Sequence, residues 1–140
     1  MNDFRLLGQA SLAELICAHA AEFDDRQTLA TLSVSYLLDE VAHGRAVIEA
    51  DEHAVAVVRP EGWRARKGNA ILWLIFVDPE WRCAGNGSDL VMRMKVTHAR
   101  KLAMHLLCHG GGRMKFFERC GFHVKQVIPA GIVMMAPCRG

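Results

Sequence analysis

The sequence predicts an α/β (α+β) protein, a mixed sheet with helices on its faces. Three observations lead there. Two N-terminal segments carry apolar residues at helical spacing. Residues 45–59 then become short, Val-rich and hairpin-like. From residue 70 onward, apolar strand-like runs alternate with single helical patterns, which places helices against a sheet.

In chain order, "DFRLL" (Asp3 to Leu7) reads as a short first strand. "SLAE" (Ser11 to Glu14) reads as a capping box, the Ser hydroxyl accepting a backbone N–H and the Glu reaching back. Behind it Leu12, Leu15, Ile16, His19 and Phe23 share one helical face. A second helix is expected from Leu29 to His43, with Gly44 as its C-terminal cap. "RAVIEA" and "HAVAVVR" form a hairpin around Asp51 and Glu52. "PEGWRARKGN" is a basic loop, and "AILWLIFV" is a strand buried on both faces. Leu90, Val91, Met94, Thr97 and His98 stripe a helix that runs to Lys101. "AMHLLCH" is a strand, "GGG" a break, "RMKFFERCGF" a short helix ending at Gly121. "HVKQVI" and "GIVMMAP" close the chain as strands around Pro129.

A chain of 140 residues fits one domain, residues 1–140, and buries a core without staples. It divides into N-terminal helices (1–44), hairpin, central strand and loop-helix (45–101), and a C-terminal strand-helix-strands unit (102–140). Seventeen basic against fifteen acidic residues give +2, too weak a bias to argue for a nucleic-acid or membrane partner. The five cysteines are odd in number and widely spaced without CxxC, which fits reduced thiols and a cytoplasmic protein. No signal-peptide pattern follows Met1, and the longest apolar run, Ala70 to Val77, is too short to span a bilayer.

The chemistry concentrates in "VDPEWRCAGNGSDL", Val77 to Leu90, between the apolar strand and a helix. It lacks the GxxxxGK of a P-loop, and Leu90 stands where a dinucleotide fingerprint needs its third Gly. A helix N-terminus behind Gly85 and Gly87 still favours an anion. Its unpaired N–H groups and dipole attract negative charge, and the glycines admit close backbone approach. N–H groups from Arg82 to Ser88 can form a nest for a diphosphate, helped by the Arg82 charge and the Ser88 hydroxyl.

The pattern Val-x-Pro-x-x-Arg-x-x-Gly-x-Gly resembles motif A of the GCN5-related N-acetyltransferase (GNAT) superfamily. "KFFERCGF", Lys115 to Phe122, resembles its motif B, and the two are separated by one helix and one strand, as in that superfamily. The resemblance implies the GNAT acyl-CoA N-acyltransferase fold, a mostly antiparallel sheet in which two parallel strands splay apart. It implies an acetyl-CoA-dependent N-acetyltransferase, without a metal, in which an amine attacks the thioester directly. The cofactor-binding residues so implied are Ile75, Phe76, Val77, Arg82, Cys83, Ala84, Gly85, Asn86, Gly87, Ser88, Phe116 and Phe117, with a backbone N–H near Val77 as oxyanion donor. Small, divergent members of this kind occur in bacteria and phages, and a homodimer is compatible with the pattern.

Two departures bear on catalysis. Many members carry in motif B a Tyr that protonates the leaving thiolate; here that position is Phe117, and the chain's one tyrosine is Tyr36. Many also carry an Asn shortly before the motif B helix, where this chain has "HGGGR" near Gly110. They motivate an alternative, a GNAT-fold coenzyme A-binding or structural protein with impaired catalysis. The general-base candidates are Glu49, Asp51, Glu52, Asp78, His105 and His109, with Glu49 preferred for its place in the first hairpin. "HLLCH" makes a poor metal site, because His105 and His109 share one strand face and Cys108 takes the other. Cys83, at a helix start, is the thiol whose pKa the loop would lower. The basic "WRARKGN" and "RMKVTHARK" patches read as solvated surface.

Overall fold

The computed structural model describes residues 3–19, 32–60, 69–82, 85–98, 103–108, 111–128 and 131–136. The elements are α1 (Gln9–Ala18), α2 (Val34–Ala42), β1 (Val47–Ala50), β2 (Ala54–Arg59), β3 (Asn69–Val77), α3 (Asn86–His98), β4 (Ala103–Cys108), α4 (Gly111–Arg119), β5 (His123–Ile128) and β6 (Gly131–Ala136). Six strands form one sheet in the order β1-β2-β3-β4-β6-β5. Among the described residues only β3 and β4 pair in parallel; the other four pairings are antiparallel.

Four local expectations change. Asp3–Leu7 holds no strand. The Asp3 carboxylate accepts the Arg5 N–H and the Arg5 guanidinium, closing a 3-10 turn at Phe4–Leu6 whose buried residue is Phe4. Such a local side-chain bond competes with extended pairing. The capping box at Ser11 does not form, because α1 starts earlier, behind Gly8, and Ser11 lies exposed within its first turns. The "GGG" break is not seen at Gly111 and Gly112, which open α4; Gly110 lies outside the described residues. The second helix also starts later than expected: Leu32 and Ser33 are not helical, and α2 begins at Val34, while its glycine C-terminal cap holds. Ser33 accepts the Tyr36 N–H at the start of α2, and Gly44 follows its end with φ 72°. Residues 29–31 of the expected second helix and the basic loop 61–68 lie outside the described residues.

The sheet divides two apolar layers. On one face α3, α4 and the turn after α4 pack Leu90, Val91, Met94, Phe117 and Phe122 onto Ala54, Ala56, Val58, Ala70 and Leu72. On the other, α1 and α2 pack Leu12, Ile16 and Leu37 onto Val55, Val57, Leu74 and Phe76. β2 is therefore buried along its whole length. In β3 the alternation breaks once. Val57 pairs with Leu74 and Val58 with Leu72, leaving Trp73 as an extra residue, a β-bulge. Even-numbered side chains face α3 before the bulge and α1 after it, so Leu72 and Leu74 end in different cores. Among the described residues no helix is long and apolar enough to cross a membrane.

Candidate functional site

The parallel contact between β3 and β4 is brief. Asn69, Ala70 and Ile71 register with Ala103, Met104 and His105, and no pairing continues beyond them. β4 stays in register with β6 from Met104 to Cys108 and so leaves β3 behind. Among the described residues no strand pairs with this edge of the six further residues of β3, Leu72 to Val77.

Which backbone groups occupy that edge follows from one bond. The Asp78 N–H donates to His53 O at 2.9 Å, toward β2. A trans peptide points its C=O opposite to its N–H, so Val77 O is turned to the open edge. Strand residues two apart point alike, so the N–H groups of Val77 and Ile75 lie on that edge as well. Phe76 is turned the other way. Its backbone registers with Val55, and its ring faces the N-terminal helices, stacked on the His19 imidazole with centroids 4.2 Å apart.

Past Val77 the chain turns into α3 through a braced loop. Asp78 accepts the Glu80 N–H and opens a 3-10 turn at Pro79–Trp81. Arg82 Nε donates to Val77 O at 3.0 Å, which fixes the guanidinium at the mouth of the open edge; it also lies 5.7 Å from the Phe76 ring centroid. Asn86 Nδ2 donates to Trp81 O at 3.1 Å. Gly85 takes φ 89°, a left-handed conformation open to glycine, and its carbonyl accepts the Asp89 N–H to close the first turn of α3. The N–H groups at the start of the helix have no intrahelical acceptor and collect its positive dipole end. Gly87 is buried. A Cβ there would stand 2.9 Å from Val77 Cγ2 and 3.2 Å from two carbons of Phe116, so the missing side chain is what lets α3, the end of β3 and α4 meet. Ser88 bonds Cys120, whose thiol is pushed up by burial against the opposing effects of Ser88, Lys95 and Arg119. Cys83 and Ala84 lie outside the described residues, as do His109 and Gly110.

The motif B residues sit beside this loop. Phe116 borders Gly87, while Phe117 is 8% exposed and packs edge-on between Phe116 and Phe122. The two N-terminal turns of α3 and the aromatic turn of α4 thus share one apolar layer, from which Ile75 and Val77 are reached.

Several solved structures that share this fold are described as acetyltransferases. An acetyltransferase from Corynebacterium glutamicum, described as histone acetyltransferase HPA2 and related acetyltransferase, superposes with a TM-score of 0.67 at 14% identity over 94% of this chain and 92% of that one. This chain has the GNAT fold. A GNAT-family putative acetyltransferase from Desulfovibrio desulfuricans matches the GNAT-fold chain with a TM-score of 0.63 at 20% identity, over 94% of each. The PaiA N-acetyltransferase of Thermoplasma acidophilum, solved in complex with coenzyme A, gives 0.64 at 14% identity over 92% and 89%. No family model and no curated protein matches the sequence.

Among the described residues no group of three or more His, Cys, Asp or Glu is placed to hold a metal ion. Glu49 lies on β1 and registers with Ala56, which registers with Ile75, so two strand spacings, about 10 Å, separate it from the open edge. Its carboxylate is turned to α3, with Oε1 3.3 Å from His98 Nε2. Asp51 is bound by Arg93, and Glu52 is exposed. Tyr36 sits far from Phe117. Its hydroxyl accepts from Arg59, which registers with Ile71 at the start of β3. Arg59 is itself buried, donates to Glu40 Oε2 at 2.9 Å and lies 3.9 Å from the Trp73 ring centroid. Burial raises the Glu40 pKa, but the bonds and charges of Arg45 and Arg59 outweigh it and the net shift is downward. Sequence reasoning missed His19, His53 and Arg93 as neighbours of this region. Their contacts join residues distant in the chain, and no periodicity reports such pairs.

Proposed function

We propose that this chain is an acetyl-CoA-dependent N-acetyltransferase that transfers the acetyl group to an amine by direct attack. The observation that carries the reading is the open edge of β3, with the N–H groups of Ile75 and Val77 on it, ending at a glycine-braced helix N-terminus. Acetyl-CoA supplies the activated thioester. The first N–H groups of α3, with Asn86, Gly87, Ser88 and the loop at Arg82–Gly85, hold the diphosphate. The absent side chain at Gly87 lets the first turn of α3 sit against the end of β3, which brings those N–H groups to the open edge. Ile75 and Val77 bond the pantetheine amides in place of a strand, and Phe76 fixes the strand between the two layers. The Val77 N–H stabilises the charge that develops on the carbonyl oxygen. Glu49, paired with His98, accepts the amine proton through water, since its distance rules out contact. Phe116 and Phe117 wall the coenzyme arm. The cytoplasmic setting belongs to this reading through the reduced cysteines.

A second reading is favoured by one residue. Phe117 donates no proton, and Tyr36 is bonded elsewhere, which supports a coenzyme A-binding protein with impaired catalysis. Titration calorimetry with acetyl-CoA tests what the two share, and absence of heat at millimolar ligand would refute both. A coenzyme A release assay over a panel of amines separates them. Turnover that Gly87→Trp abolishes establishes the enzyme; binding without turnover on any amine establishes the second reading.

A further inference from the structure

The turn between β1 and β2 grips the loop-helix segment at three points. Arg93 of α3 donates to Asp51 Oδ1 at 2.6 Å and to Ala50 O at 3.0 Å. The Asp78 N–H donates to His53 O. The His53 ring lies flat on Trp81, centroids 3.8 Å apart and planes 3° from parallel. His53 is 8% exposed, and its Nδ1 is buried with no hydrogen-bond partner among the described residues. Its Nε2 stands 3.7 Å from Glu52 Oε1, beyond hydrogen-bond length.

A buried ring nitrogen without a partner is a cost, so hydrogen bonding is not what this imidazole contributes. What it offers is a flat face to Trp81. Trp81 in turn is the hub of the loop. Its N–H donates to Asp78 O at 2.8 Å, and its carbonyl takes the bond from Asn86, the first residue of α3.

We propose that His53, through its stack on Trp81, is a positioning residue for the anion-binding loop, and that the Ala50–His53 turn sets where the N-terminus of α3 stands. As a determinant of coenzyme affinity this role rests on the acetyltransferase reading; as a brace of the loop it does not. His53 touches no reacting atom. Its effect belongs in acetyl-CoA affinity and not in kcat or the amine KM.

The test compares His53→Ala and His53→Phe with the wild type by calorimetry, steady-state kinetics and native-state trypsin cleavage after Arg82, the last without coenzyme. His53→Ala is expected to weaken acetyl-CoA about tenfold, the weight of one aromatic pair. Cleavage after Arg82 should rise by about the same factor, because it tracks the opened population. His53→Phe keeps the ring and removes the orphan nitrogen. It should restore both values and melt at or above the wild-type temperature. Unchanged cleavage in His53→Ala, or a folded His53→Phe that behaves like His53→Ala, would overturn the proposal. If wild type binds no acetyl-CoA, the functional reading fails and cleavage alone decides the brace.

Discussion

Replacing Gly87 by Ala probes the junction on which the site depends. A new methyl would stand 2.9 Å from Val77 Cγ2 and 3.2 Å from Phe116 Cε1 and Cζ. Carbon contacts relax near about 3.5–4.0 Å, so the shortfall is about 0.6 Å at Val77 and about 0.3 Å at Phe116. Both neighbours are held, Val77 by β2 and Phe116 by Phe117, so the start of α3 must move. Overpacking of this kind costs about 1–3 kcal/mol. Removing a helical glycine returns at most about 1 kcal/mol, and less in a first turn. The net is about 1 kcal/mol of lost stability, read in a thermal melt as a fall of about 4 °C. The N–H groups of α3 shift with the helix, and acetyl-CoA affinity should drop about tenfold by calorimetry. A Gly87→Ala protein that melts at or above the wild-type temperature and binds acetyl-CoA unchanged would refute the close-approach argument.

Other expectations follow from the same geometry. Gly85→Ala meets nothing within 4 Å but carries a side chain at φ 89°, so it should cost about 1–2 kcal/mol from backbone strain alone, measurable by urea unfolding. Glu40→Gln removes the negative charge that Arg59 and Arg45 share and should cost about 1–3 kcal/mol at neutral pH. The folded Glu40 pKa lies below its ordinary 4.5, so its contribution is complete above that value and fades as pH falls through the folded one. A melting temperature followed from neutral to acid pH should therefore drop more steeply in wild type than in Glu40→Gln. Phe117→Tyr places a hydroxyl where the leaving thiolate is expected, and kcat at saturating acetyl-CoA should rise roughly tenfold, below the usual range for a general acid. An unchanged kcat would show that the thiolate is protonated from elsewhere.

Much of the scaffold is legible in the chain. Apolar period and glycine punctuation give the hairpin, the buried central strand, the helix behind Gly87 and the turn at Gly121, because those signals are local. Expectations erred where a local signal met a stronger neighbour, as at Ser11, which lies two residues inside a helix already under way from Gln9. The pairing of "GNGSDL" with "KFFERCGF" pointed to one site, and the contact of Gly87 with Phe116 joins them.

The sequence by itself determined the order of elements from the first hairpin onward, the glycine loop that opens the helix after the central strand, and the Phe at position 117 of the aromatic helix, since each depends on residue type and spacing. Only the tertiary structure decided which edge of β3 is open, that Trp73 bulges and reverses the faces of Leu72 and Leu74, and that Val77 rather than Phe76 turns its N–H outward. It also decided that Glu49 lies two strands away under α3, and that His53 stacks flat on Trp81. The reason is physical. Strand register, splay and cross-strand stacking are fixed by contacts between residues far apart in the chain, and no local pattern encodes their sum.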